Sequence, residues 1–163
     1  MGDERKQVVT GTVEAPPEAV FAVLSDPANH TGIDGAGMLR GIASSSGPVT
    51  AVGDSWVMNM NQSNLGDYQM RSEVIAFEPN RQIAWQPAIH PPDSLAHLIG
   101  DLDFRGYHYA WELAPNAEGG TDITHSYDWS GVKDDRALPF FPRVSAKQMS
   151  ETINRLGQAA ATG

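Results

Sequence analysis

The sequence predicts an α+β fold in which an antiparallel sheet of about seven strands packs against one long C-terminal helix. Over residues 38–129, polar and apolar side chains alternate with the period of two that is typical of strands. The connections within this stretch are too short for crossover helices, so neighbouring strands must run antiparallel. Residues 143–161 change to the helical period. Because helices lie at the ends of the strand run and not between its strands, the order is α+β.

The N-terminal part predicts one strand followed by two short helices. Residues 7–13 are rich in β-branched side chains, which favour strands. Pro16 and Pro17 come next, and proline suits the first turn of a helix because its missing N–H would have no partner there. We expect a helix over residues 18–24, and Pro27 then opens a short second helical turn through residues 29–30. The glycines of residues 31–37 predict a loop.

The middle of the chain predicts strands with one apolar face each. Segments 54–60 and 68–74 alternate, and a further strand begins at residue 82 after a turn at 78–81. Residues 87–99 hold three prolines and predict a long loop with one helical turn at 94–98. The larger side chains predicted to face inward from these strands are Trp56, Met58, Met60, Tyr68, Met70 and Trp85.

The last two strands show the clearest alternation in the chain. The inward faces of the two strands are predicted to carry Tyr107, Tyr109, Trp111 and Leu113 on the first and Ile123, His125, Tyr127 and Trp129 on the second. Gly119 and Gly120, in the connection between them, supply the positive φ that a bulged hairpin needs. Either Tyr109 or Trp111 is therefore expected beside His125, depending on the register.

The C-terminal segment predicts an amphipathic helix that must bury one stripe. A narrow arc of this helix carries Met149, Ile153, Leu156 and Ala160, and the opposite face carries Lys147, Glu151 and Arg155. The predicted sheet is the only partner large enough to cover that stripe. At 163 residues the whole chain, 1–163, is expected to form a single domain around one core.

Composition and charge narrow the classes of partner. The formal charge is −9, from 20 acidic against 11 basic residues, so the surface repels phosphate backbones and argues against nucleic acid. No apolar run approaches the ~18 residues of a transmembrane helix, which predicts no integral membrane association. The charged residues 1–6 are unlike a signal peptide, and cysteine is absent, so a cytoplasmic location is predicted. These observations leave a homodimer open.

Three sequence segments resemble the START-like, polyketide cyclase/dehydrase-like superfamily, also called SRPBCC or helix-grip proteins. Residues 13–21 read VEAPPEAVF and residues 24–27 read LSDP, similar to the first strand and the two helices that open that family. Residues 74–85, VIAFEPNRQIAW, resemble its central hairpin. Gly119-Gly120-Thr121, followed by HSYDW at 125–129, resembles its final hairpin. The resemblance covers nearly the whole chain, and its motifs are mostly structural.

The resemblance implies a helix-grip fold, in which a curved antiparallel sheet wraps around the long C-terminal helix and leaves a cavity between them. It implies binding of a hydrophobic small molecule, either a lipid, a polyketide or an aromatic compound. Members of the superfamily include ligand carriers, aromatase/cyclases, hydrolase-like enzymes, ring-hydroxylase domains and chaperone activators. Because these share no catalytic motif, a polyketide cyclase/dehydratase and a protein-interaction module stay open as alternatives, and no catalytic residue is carried over.

His125 is the candidate catalytic residue. The five histidines show no metal-ligand spacing, and neither a Gly-x-Ser-x-Gly elbow nor a dinucleotide fingerprint occurs, so no metal and no cofactor are predicted. Alternation places the His125 imidazole inward among aromatic groups, where it and nearby tyrosines could orient a carbonyl or enolise a polyketide. The alternative is a core histidine that is hydrogen-bonded to one tyrosine hydroxyl.

The inward aromatic and methionine side chains form the predicted ligand-binding set. Either they pack into a solid core or they line a pocket. Buried Tyr and Trp need hydrogen-bond partners that a tight core rarely supplies, which favours the pocket. The predicted ligand-binding residues are Trp56, Met58, Met60, Tyr68, Met70, Trp85, Tyr107, Tyr109, Trp111, His125, Tyr127, Met149 and Ile153.

Overall fold

A seven-stranded antiparallel sheet and a long C-terminal helix make up most of the computed structural model, which describes residues 5–162. The strands are β1 Lys6–Val13, β2 Leu39–Ser44, β3 Ser55–Gln62, β4 Gly66–Glu78, β5 Gln82–His90, β6 His108–Pro115 and β7 Thr121–Asp128. Their order in the sheet is β1-β7-β6-β5-β4-β3-β2, and all pairs are antiparallel. The predicted α+β, helix-grip architecture is confirmed. Residues 1–4 of the charged N-terminus lie outside the described residues.

Four helices and two 3-10 turns connect and cover the sheet. The helices are α1 Pro17–Leu24, α2 His30–Ile33, α3 Ala96–Ile99 and α4 Ala146–Thr162, and the 3-10 turns are Pro27–Asn29 and Leu138–Phe140. The Asp26 side chain accepts the Ala28 N–H at 3.1 Å and so caps the first 3-10 turn. The loop predicted from residue 31 begins later, at Asp34, because α2 continues the helical turn and buries His30 and Ile33.

Strand β5 extends into the segment that the prolines predicted to be a loop. It pairs with β4 as far as His90, whereas β6 pairs only with residues 82–85 of β5. Beyond Trp85 one side of β5 therefore carries no ladder, and such a half-free strand tolerates Pro87. The loop prediction was wrong for residues 87–90. The single helical turn predicted at 94–98 is present as α3.

The β6–β7 hairpin has a continuous register. It pairs His108 with Asp128 and Pro115 with Thr121, without the bulge that was predicted. Gly119 has a φ of 83° and lies in the five-residue turn, so the positive φ is needed in the connection and not in the ladder. This register places Trp111 directly opposite His125, and Tyr109 opposite Tyr127.

Helix α4 packs its predicted apolar stripe on the inside of the fold. Met149, Ile153, Leu156 and Ala160 are all buried. The helix begins at Ala146 and not at 143, because Ser145 and Gln148 form a capping box: the Ser145 Oγ accepts the Gln148 N–H at 3.1 Å, and the Gln148 Oε1 accepts the Ser145 N–H at 2.9 Å. On the outer face Glu151 and Arg155 form the expected i,i+4 ion pair at 2.9 Å.

Candidate functional site

A cavity of about 160 Å³ lies between the inner face of the sheet, helix α2 and the first turns of α4. The inward-facing aromatic and methionine side chains therefore border a space and do not close into a solid core. Every predicted ligand-binding residue except Ile153 lines this cavity. The residues concerned are Trp56, Met58, Met60, Tyr68, Met70, Trp85, Tyr107, Tyr109, Trp111, His125, Tyr127 and Met149.

Ile153 is the member of the predicted set that does not reach the cavity. It is buried, but it packs on β1, where a Cβ added to Gly11 would lie 2.9 Å from the Ile153 Cγ2. The cavity extends along the first two turns of α4 as far as Thr152. At that point the apolar stripe of α4, which carries Ile153, already meets β1. Thr152, and not Ile153, borders the cavity at this depth.

Several polar residues that line the cavity escaped the sequence analysis. Ser72 lies within β4, and the others lie in helix α2, in the loop after it, at the end of β3, before α4 or on α4. The missed polar residues are His30, Asp34, Gln62, Ser72, Arg143 and Thr152. Ser72 carried a usable signal, since alternation had placed it beside Met70 and Val74.

His125 is a neutral imidazole with one free nitrogen. Its ring stacks on Trp111 with the centroids 3.6 Å apart, and its Nδ1 lies 3.1 Å from the carbonyl oxygen of Ala110. A carbonyl only accepts, so Nδ1 carries the proton and the Nε2 lone pair is available. The expected bond to a tyrosine hydroxyl is replaced by this backbone contact. Burial lowers the pKa of His125 to about 4, so the ring is uncharged at neutral pH.

His30 provides a second buried imidazole of the same kind. Its Nε2 donates to the Leu24 carbonyl at 2.7 Å, which leaves the Nδ1 lone pair as the acceptor. The ring stacks on Trp85 at 4.9 Å and meets the edge of Trp56 at 5.4 Å. Burial is the main cause that lowers the pKa of His30. Two neutral imidazoles therefore border one cavity, His30 packed against two indole rings and His125 stacked on one.

The four tyrosines of the chain all line the cavity, and the hydroxyl oxygens of Tyr68 and Tyr127 accept hydrogen bonds there. Tyr109 and Tyr127 stack with ring centroids 4.6 Å apart. The Tyr127 hydroxyl oxygen accepts the backbone N–H of Arg143 at 3.2 Å. Burial is the main cause that raises the pKa of each of the four phenols, so all of them stay protonated at neutral pH.

Two hydrogen bonds connect the side chains of Gln62, Tyr68 and Arg143 at the cavity wall. The Gln62 Nε2 donates to the Tyr68 hydroxyl, and the Gln62 Oε1 accepts from the Arg143 Nη2. Arg143 lies three residues before the start of helix α4 and is half-buried. These hydrogen bonds connect the β3–β4 hairpin to the segment before α4 and bring a positive charge to a cavity that is otherwise mostly apolar.

Asp34 lines the same cavity and fastens the loop that follows α2. Its carboxylate oxygens accept the backbone N–H groups of Ala36, Met38 and Leu39 at 2.7–2.9 Å. Gly35, the next residue, approaches α4 so closely that a Cβ would lie 2.3 Å from the Gln148 carbonyl oxygen. Because its oxygens are engaged in this way, Asp34 has a structural role at the cavity.

Comparison with known proteins assigns the chain to a family. The family model described as "Polyketide cyclase / dehydrase and lipid transport" matches residues 5–161. The chain belongs to this family. The resemblance seen in the sequence is therefore confirmed, and membership of the polyketide cyclase / dehydrase and lipid transport family indicates binding of a hydrophobic ligand.

Proteins similar to this family member in sequence or in fold come from bacteria and from a plant. The uncharacterized protein Rv0088 of Mycobacterium tuberculosis is 27% identical over 159 residues, which cover 93% of this chain and 62% of the relative. The chain thus spans less than two thirds of the curated relatives that it matches. Protein Ms6760 of Mycobacterium smegmatis has a TM-score of 0.69 at 12% identity, over 98% of this chain and 93% of its own. The major latex-like protein 151 of Panax ginseng has a TM-score of 0.60 at 14% identity, over 94% and 95%.

The two solved structures support the fold of this family member. They do not indicate its ligand, which has to be inferred from the cavity. Both structures are well below 25% identical to this chain, so their similarity concerns the helix-grip fold alone. Within residues 5–162, none of the helices combines the length and the apolar character needed to cross a bilayer.

Proposed function

We propose that this protein binds a small hydrophobic molecule, with one aromatic ring inside the cavity between the sheet and α4. The observation that carries the proposal is the cavity itself. Its volume of about 160 Å³ is close to that of an engineered apolar cavity of about 150 Å³ that binds benzene. A fused-ring polyketide or a diacyl lipid exceeds this space. Such a ligand would have to place most of its body outside the cavity.

The groups that line the cavity match an aromatic ligand with hydroxyl and carbonyl substituents. Trp56, Trp85 and Trp111 offer flat faces for stacking, and the methionines adapt to an irregular outline. Tyrosine hydroxyls offer donors for a carbonyl, whereas the free nitrogens of His30 and His125 accept from a hydroxyl. Buried groups of this kind favour a ligand that satisfies them, because an unpaired buried polar group costs about 1–3 kcal/mol.

Titration with para-propylphenol, followed by tryptophan fluorescence, tests this proposal. Three of the four tryptophans line the cavity, so we expect a saturable change in emission. Ser72 is buried and borders the cavity, and Ser72→Leu should fill the space and weaken binding at least tenfold, about 1.4 kcal/mol. Native mass spectrometry of freshly purified protein should show a co-purifying apolar ligand.

The matched control is Glu73→Leu, which introduces the same side chain one residue along β4 on the exposed face. It should leave the affinity for para-propylphenol unchanged. Equal affinities in the wild type and in Ser72→Leu would contradict binding in this cavity, provided that both proteins unfold at similar temperatures.

A polyketide cyclase/dehydratase is the second candidate, and the free Nε2 of His125 favours it. In such a reaction Nε2 would take a proton from the carbon between two carbonyls. The electron pair would pass to a carbonyl oxygen held by a tyrosine hydroxyl, which forms an enolate. The enolate carbon would then form a C–C bond to a second carbonyl of the same substrate, and the oxygen of that carbonyl would take up the proton from the imidazolium. Loss of this hydroxyl with a proton from the neighbouring carbon would release water. Burial opposes this role, because an imidazole with a pKa of about 4 is a weak base at neutral pH. Binding is therefore the first candidate.

Deuterium incorporation at the methylene carbon of benzoylacetone separates the two candidates. If His125 is the base, the wild-type protein should accelerate exchange in D₂O. His125→Ala should remove the acceleration, whereas para-propylphenol should still bind at most about tenfold more weakly, the loss of one hydrogen bond. Exchange that is unchanged in His125→Ala would contradict the catalytic role and leave binding as the function.

Four further expectations stay predictions of the sequence. They are the cytoplasmic location, the homodimer, the lack of a nucleic-acid partner and the alternative of a protein-interaction module. The last of these rests on the resemblance to chaperone activators, and size-exclusion chromatography of the purified protein would test the homodimer directly.

A further inference from the structure

Within residues 5–162, Arg143 is a cation at the cavity without an anionic partner. Its guanidinium donates to the neutral Gln62 Oε1, and no carboxylate oxygen of residues 5–162 lies within 4.0 Å of it. The ion pairs found within residues 5–162 involve other arginines, and these are more exposed than Arg143. They join Arg105 to Asp103, Arg136 to Asp101 and Asp134, and Arg155 to Glu151.

A half-buried guanidinium is costly unless a negative group compensates its charge. The protein has an excess of acidic residues, with a formal charge of −9, and still none of the acidic residues among 5–162 pairs with Arg143. Asp34 also lines the cavity, but three backbone N–H groups occupy its oxygens. Of the five N–H donors on an arginine, one contacts Gln62, so most of the fork is available to a ligand.

Tyrosine hydroxyls surround the same position. The Gln62 amide bridges the Tyr68 hydroxyl and the Arg143 guanidinium, and the Tyr127 hydroxyl accepts the Arg143 backbone N–H at 3.2 Å. Burial raises the pKa of Tyr68 and Tyr107, the positive charge of Arg143 acts in the opposite direction on both, and the charge of Asp34 adds to the rise at Tyr68. Protonated phenols are donors, so they add neutral hydrogen bonds to an anion held by the arginine. One full positive charge and neutral donors balance a singly charged carboxylate better than a doubly charged phosphate.

We propose that Arg143, with Tyr68 beside it, binds the carboxylate of an aromatic acid whose ring occupies the cavity. The inference rests on the proposed function and specifies its ligand: a one-ring aromatic compound with a short side chain that ends in a carboxylate. Arginine suits this task because its planar fork holds a carboxylate through two parallel hydrogen bonds.

Two probes with the same skeleton test the inference. Para-propylphenol ends in a methyl group, and para-hydroxyphenylpropanoate ends in a carboxylate at the same place. We expect the wild-type protein to bind both, with the carboxylate the tighter ligand. Arg143→Gln should weaken the carboxylate probe by about 10- to 100-fold, the range of a charge-assisted hydrogen bond, and leave para-propylphenol within about twofold.

Two further variants control for charge and geometry. Arg81→Gln removes the same charge from the exposed β4–β5 turn and should leave the ratio of the two affinities unchanged. Arg143→Lys keeps the charge but loses the fork, so it should recover part of the preference for the carboxylate. The wild-type preference should also weaken as salt concentration rises.

The outcomes separate this inference from the proposed function. If para-propylphenol binds but Arg143→Gln leaves the ratio of affinities unchanged, the carboxylate site is wrong and the cavity function stands. If neither probe binds to the wild-type protein, both proposals are contradicted. A tenfold or larger loss that is confined to the carboxylate probe supports both.

Discussion

The free energy of unfolding is expected to fall by about 3 kcal/mol through His125 alone as the pH is lowered from about 7 to below 4. In the folded protein burial holds the pKa of this imidazole at about 4, whereas its ordinary value is 6.5. Between these values the unfolded chain binds a proton that the folded protein does not, so acid favours unfolding. The stabilisation is fully present above pH 6.5 and is lost as the pH falls through 4. His30, whose pKa burial also lowers, adds an effect of the same sign.

Urea unfolding at several pH values between 7 and 4 measures this effect. His125→Phe keeps an aromatic ring next to Trp111 and cannot titrate, so the stability of the variant should depend less steeply on pH than that of the wild type. His97→Gln, in an exposed part of α3, is the control and should behave as the wild type does. Parallel curves for the wild type and His125→Phe would show that the imidazole is not buried as described.

Leu156→Ala is expected to lower the free energy of unfolding by about 3 kcal/mol, within the 2–5 kcal/mol typical of such core truncations. Leu156 is 0% exposed and lies at the centre of the α4 stripe. Around it α4 packs tightly on β1, where a Cβ on Gly157 would lie 2.6 Å from Val13 Cγ1. Because the backbones are already close, the surroundings have little room to collapse into the space left by the leucine. The melting temperature should fall by about 10 °C.

Differential scanning calorimetry of Leu156→Ala and Gln158→Ala makes the comparison on one helix. Gln158 is exposed, so its replacement by alanine, a good helix former, should change stability by less than about 0.5 kcal/mol. A loss in Leu156→Ala as small as that in Gln158→Ala would contradict the packing of α4 on the sheet described above. A pronounced loss only in Leu156→Ala would identify this stripe as a main source of stability.

Strand and helix periodicity predicted much of the cavity wall. Tyr107, Tyr109 and Trp111 alternate in one strand, and His125 and Tyr127 alternate in the next, so their common face follows from backbone geometry alone. The cavity lining includes all five. Met149 was placed correctly by the same argument for a helix. Ile153 was not, because periodicity gives the direction of a side chain and not the depth at which the cavity ends.

The polar groups of the site could not be predicted in this way. His30 lies in a four-residue helix, and Arg143 lies in the irregular segment before α4, where no repeating pattern assigns a face. Both reach the cavity only because the sheet curves over α2 and the start of α4. The length of strand β5 was underestimated for a related reason. Pro87 has no N–H to donate to a neighbouring strand, and only the arrangement of β6 shows that one side of β5 is unpaired there.

The sequence by itself determined the order of the strands and helices, the inward faces of the last two strands and the buried stripe of α4. Those properties depend on local backbone geometry and on the burial of apolar surface, and both leave a periodic pattern of apolar residues in the sequence. Only the tertiary structure decided that Trp111 lies opposite His125 and that the aromatic faces leave a space of about 160 Å³. It also decided that Arg143 borders this space with no carboxylate of residues 5–162 paired to it. These properties depend on register, sheet curvature and contacts between residues far apart in the chain, which local patterns do not contain.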